Sequence, residues 1–139
     1  MKCKYKSKVL KTFAAALLVL TGCSQKLYMP LSEARHYHGY RERPIDSSRY
    51  RVFFAGYCDT PQDTVEYYAL LRASEITLAH DFDFFILESS HQDSGILTDG
   101  DCWQPPNIID TILLMKGTPP QTANTYDAHA LHAEVERVK

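Results

Sequence analysis

The chain of 139 residues has room for one domain and little more, and its charge is unevenly placed. Five of its 15 basic residues, Lys2, Lys4, Lys6, Lys8 and Lys11, stand in the first eleven positions, where no acid occurs. Without that leader the formal charge falls from −2 to −7, because 10 basic residues then face all 17 acids. So acidic a body argues against nucleic acid and against anionic lipid headgroups as partners, since neither gains from counterion release on it.

Residues 13–20, FAAALLVL, form an uncharged run of eight after the lysines. A basic start, a short apolar stretch of ~7–15 residues and small residues at a cleavage point make a secretory signal. A membrane-crossing helix needs ~20 apolar residues, and Lys11 blocks extension backward. Leu20-Thr21-Gly22-Cys23 resembles the lipobox of bacterial lipoproteins. That resemblance implies cleavage between Gly22 and Cys23, diacylglycerol on the Cys23 thiol and acylation of the new amino terminus. Ser24 after the cysteine implies sorting to the outer membrane, with the body facing the periplasm. The competing reading is a plain signal peptide with a chance cysteine. The lipobox reading divides the chain into a signal peptide at 1–22, a lipidated tether at 23–47 and a single domain at 48–139. The 117 residues left after cleavage can bury roughly 60–70% of their unfolded surface, enough for one modest core.

Residues 24–47 carry Pro30, Gly39 and Pro44 with no sustained period, so they read as a tether. Leu27, Tyr28, Met29, Leu31, Tyr37 and Tyr40 make it stickier than a glycine-serine linker, and part of it should lie along the domain surface. Order is expected from Arg49. RYRVFFAG alternates Tyr50, Val52 and Phe54 against Arg51 and Phe53, which is a first strand. A helix follows over 61–80, with Thr60 as its cap and Pro61 at the first position. Its stripe is Val65, Tyr68, Ala69, Arg72, Ala73 and Ile76. FDFFILES at 82–89 is a second strand, dense enough for a central position. A turn-rich stretch leads to a third strand at 107–116, NIIDTILLMK, whose β-branched residues favour strand over helix. GTPPQTAN reads as a loop, and YDAHALHAEVERV as a C-terminal amphipathic helix capped near Thr125 or Asp127. The expected fold class is α+β: a small, mainly antiparallel sheet of about three strands, a long helix on one face, and a short C-terminal helix.

RYRVFFAG, DTVEYYALLRASEITL, DFDFF and NTYDAHAL together resemble an uncharacterised family of small bacterial (proteobacterial) lipoproteins. The motifs are RYRVxFxG, carrying Phe54-Ala55-Gly56; TVExYxLxRA, from Thr64 to Ala73; and an aromatic-Asp-aromatic strand, Phe82-Asp83-Phe84-Phe85. The match covers nearly half of the body. The chain departs from the pattern at His80-Asp81, where the family carries glycine, and at Tyr57-Cys58. The resemblance implies location and fold and supplies no activity.

Of four cysteines, Cys3 lies in the leader and Cys23 is the lipid acceptor, which leaves Cys58 and Cys102. In an oxidising compartment two such thiols are expected to bridge; separate free thiols and catalytic use are the alternatives. Histidines suggest metal only weakly. His36 and His38 lie in the tether, His129 and His132 sit at i, i+3, and His91 with Asp93 could complete a zinc or copper set. Exposed, solvated side chains are the better explanation of them, and no cofactor is implied. Acids flank the second strand (Asp81, Asp83, Glu88) and cluster at Asp93, Asp99 and Asp101, as exposed turns do. Arg72 falls on the apolar stripe, to pair with Asp83 or Glu88 or to snorkel to water. Two functions remain. One is a lipid-anchored interaction or scaffolding module that holds an envelope protein. The other is an anchored enzyme or metal-binding protein using His91, Asp93 and nearby loops.

Overall fold

The alternation in RYRVFFA folds as expected, giving β2, Arg49–Ala55, with Val52 and Phe54 sealed in the core and Arg51 in solvent. The computed structural model describes residues 26–34, 37–98 and 101–139. The leader and the Gly22-Cys23 cleavage point lie outside these residues, as does His36. Among the described residues no helix is long and apolar enough to cross a membrane.

Five strands, rather than about three, build the main sheet. They are β1 Gly39–Pro44, β2, β3 Phe84–Asp93, β6 Asn107–Met115 and β7 Thr125–Asp127. Their order is β1-β2-β6-β3-β7, and every neighbouring pair is antiparallel. The middle strand is β6, and the FDFFILES strand, β3, lies inside the sheet between β6 and β7. Strict alternation on β6 buries Ile108, Asp110, Ile112 and Leu114 on one face. The turn-rich stretch is more ordered than its composition suggests. β3 runs on to Asp93, past a bulge that shifts register between Leu87 and Ser89. β4 Ile96–Thr98 and β5 Asp101–Gln104 then make a separate two-stranded ribbon.

Helix α1, Gln62–Ala79, lies across one face of the sheet, with Val65, Ala69, Ala73 and Ile76 inward. Leu71, Ser74 and Thr77 are buried as well, because α2, Ala128–Val135, packs on α1 and sends Leu131 and Val135 into the same clusters. The two buried hydroxyls turn inward to the helix, Ser74 to the Leu71 carbonyl and Thr77 to that of Ala73. Thr60 is not the cap. Its Oγ1 accepts from the Tyr57 amide and closes the preceding turn, while Pro61 takes the cap position. For α2 the cap is Asp127, whose Oδ1 accepts from the amides of His129 and Ala130.

The stretch read as a tether belongs to the fold. Tyr28 is 3% exposed, with its ring 5.0 Å from Tyr40 and 5.6 Å from Tyr68. Met29 and Leu31 bond to the backbone of Tyr40 on the outer side of β1. Gly39 makes that approach possible: its φ is 107°, and a Cβ there would run into the Met29 carbonyl. The boundary expected at 47/48 thus falls inside the β1–β2 hairpin. Its strand leaves little trace in the sequence because only Gly39 and Tyr40 of GYRERP are shielded from solvent, leaving no period to detect.

Candidate functional site

Where Met29–Leu31 leave β1, an open cleft of about 780 Å³ forms between residues 30–34 and the helix-side face of the strand. Pro30, Leu31, Ala34 and Tyr37 line one side, and Tyr40, Glu42 and Arg72 the other. Arg72 does not reach Asp83 or Glu88, which belong to the β3 side of the sheet. Its guanidinium lies 4.4 Å above the Tyr40 ring and donates to Glu42 at 2.8 Å and Glu75 at 2.7 Å. Burial alone would lower its pKa, but the two carboxylates more than offset that and hold it above the ordinary value. Glu88 instead pairs with Arg49 at 2.9 Å, and Asp83 accepts from the Gly117 amide.

Glu75 gathers three donors: the Tyr28 hydroxyl at 2.6 Å, Arg72 at 2.7 Å and the Lys139 ammonium at 2.9 Å. Burial pushes its carboxyl up, and these hydrogen bonds outweigh burial, so its pKa lies below the usual carboxylate range. Tyr28 moves the other way. Burial first, then the bond to Glu75 and its negative charge, raise the phenol well above its ordinary value. The two cations and two carboxylates of this cluster pair with one another and tie the amino-terminal segment, β1, α1 and the last residue together.

A buried carboxyl on the sheet is not singled out by the sequence motifs. Asp110, on the buried face of β6, is 1% exposed, and its Oδ1 has no hydrogen-bond partner among the described residues. Burial and then the neighbouring Glu66 charge raise its pKa to about 6, against the effect of a hydrogen bond from Ser90. The signal was available: alternation through NIIDTILLMK places Asp110 in line with Ile108, Ile112 and Leu114.

The remaining candidates do not converge. His38 is buried, its Nε2 3.0 Å from the Tyr57 hydroxyl and its ring 4.3 Å from that of Tyr57. His91 is exposed and 3.8 Å from Asp93. His129 edges another cleft, of about 500 Å³, with Asp83 and Asp127, while His132 stands one turn on along α2. Among the described residues no three His, Cys, Asp or Glu side chains are placed to hold a metal ion. Cys58 and Cys102 are joined, their Cα atoms 5.8 Å apart across 44 residues of sequence, a spacing ordinary for a disulfide. They link the β2–α1 loop to β5, beside the exposed Trp103. Comparison with family models, with curated proteins and with solved structures finds no match for this chain.

Proposed function

We propose that this chain is a lipoprotein of the bacterial outer membrane, acylated at Cys23, whose α+β body faces the periplasm and serves the envelope as an interaction module. The observation that carries the reading is Leu20-Thr21-Gly22-Cys23 placed directly after a lysine-rich start and an eight-residue apolar run. Two or more acyl chains anchor stably where one is only marginal. The pairing of Cys58 with Cys102 suits an oxidising compartment. Support for a binding role comes from the internal pairing of Arg72, Glu42, Glu75 and Lys139, which locks the body together and leaves its exposed surfaces as the means of contact.

Intact mass spectrometry of the natively produced protein tests the anchor. The expected mass is that of residues 23–139 plus glyceride and fatty acyl groups, and Cys23→Ala should leave the membrane fraction. An unprocessed chain beginning at Met1 with no acyl adduct overturns the reading. In-cell crosslinking followed by identification of captured envelope proteins then names the partner.

A further inference from the structure

The face of the sheet opposite α1 carries an arrangement that net charge conceals. Arg41, Arg43 and Arg51 alternate with the inward residues of β1 and β2, so all three project from the open face and all are exposed. Arg43 stands directly opposite Arg51 in the register, and Arg41 is opposite Phe53, its guanidinium 5.4 Å from that ring. Among the described residues Arg49, Arg72 and Arg137 each hold a carboxylate, whereas these three arginines have no acidic partner. Like charges directly opposite on a sheet repel, so the hairpin holds a repulsion that a bound anion would relieve. Apolar groups lie close by: half-buried Phe53 and Ile109 share the face in register, and Ile45 is 49% exposed at the hairpin turn.

The charge of the patch and the short chain before the fold bear on its partner. Tyr28 is fixed in the core five residues after Cys23, and five extended residues reach at most about 18 Å. Met29 and Leu31 then run along the outer edge of β1, the strand that carries Arg41 and Arg43. An anchor at Cys23 therefore keeps the amino-terminal end of β1 close to a bilayer, with Arg41 and Arg43 further along the same strand. We propose that Arg41, Arg43 and Arg51 dock the β1–β2 hairpin onto the anionic phospholipid headgroups of the membrane that holds the protein, with Ile45 and Phe53 at the interfacial level. The choice of a membrane as the source of the anions rests on the lipoprotein reading. The acidic balance of the body argues against such contact only while its charges are taken as evenly spread. Three arginines near an anionic surface strengthen association on the order of a hundredfold, an effect that salt removes.

The test uses the full, natively produced chain with Ile45→Trp as a fluorescent reporter and Trp103→Phe to silence the single native tryptophan. The protein is reconstituted with vesicles of phosphatidylcholine, and separately with equimolar phosphatidylcholine and phosphatidylglycerol. The expected result is a blue-shifted emission on the anionic vesicles alone, reversed by molar salt and abolished by Arg41→Gln, Arg43→Gln and Arg51→Gln together. Circular dichroism verifies the fold of the triple variant, and Arg51→Gln alone should show a partial loss. Equal emission on both lipids, or a triple variant that shifts as the parent does, overturns the proposal. The mass of the same preparation reports acylation separately. A chain without acyl groups that still shows the anionic shift sinks the anchor and keeps the patch.

Discussion

The Tyr28 hydroxyl donates to the Glu75 carboxylate at 2.6 Å, across 47 residues of sequence, and thereby makes the amino-terminal segment part of the core. Tyr28→Phe keeps the ring packing and deletes one hydrogen bond to a charged group, a loss of about 1.5–3 kcal/mol. Tyr28→Ala also empties a site against Tyr40, Phe54 and Tyr68, at a cost of ~3–5 kcal/mol. Urea unfolding of both variants measures the difference; equal midpoints for Tyr28→Ala and the parent would show the segment undocked. Because the Glu75 carboxyl is held below its ordinary range, its contribution is present near neutrality and fades as pH falls through its folded pKa.

Asp110 carries the opposite pH dependence. Its carboxyl binds a proton more tightly in the fold than in the unfolded chain, so stability declines as pH rises from about 4 through about 6. Asp110→Asn should therefore stabilise the protein at pH 7–8 by about 1–3 kcal/mol, with the gain shrinking toward zero near pH 4. Thermal melts of parent and variant across that range check it. A stability difference constant with pH would place the origin elsewhere than in this ionisation.

The Cys58–Cys102 link closes a loop of 44 residues in sequence separation and should contribute about 2–4 kcal/mol. Reduction, or Cys58→Ala with Cys102→Ala, should lower the urea midpoint accordingly. Thiol titration of the unfolded, unreduced protein should find no free sulfhydryl from this pair, and two would dismiss the bridge.

What the sequence made legible was whatever had a period. Alternation located β2 and β6, and the apolar recurrence in VEYYALLRASEI located α1. β1 and β7 leave no pattern because β1 buries one residue and β7 none, and each owes its existence to a partner elsewhere in the chain. The aromatic density of FDFFILES agrees with its interior place between β6 and β7, while the middle of the sheet, β6, is set by pairing with β2 and β3. Arg72 stands out in the sequence as a charge on an apolar stripe, and Glu75 is its i, i+3 neighbour on α1, but Glu42 reaches it only through the docking of β1. The two cysteines were legible by elimination. Asp110 could have been found by applying the same alternation that defined its strand.

The outer margin of β1 has one further consequence. At Tyr40 its amide and carbonyl are already taken by Met29 and Leu31, and Pro44 offers no amide at the far end. Between them stands Glu42, whose side chain is tied to Arg72. A neighbouring molecule thus finds no continuous ladder on which to add a strand. Along this margin, crowded copies find no template for edge-to-edge pairing.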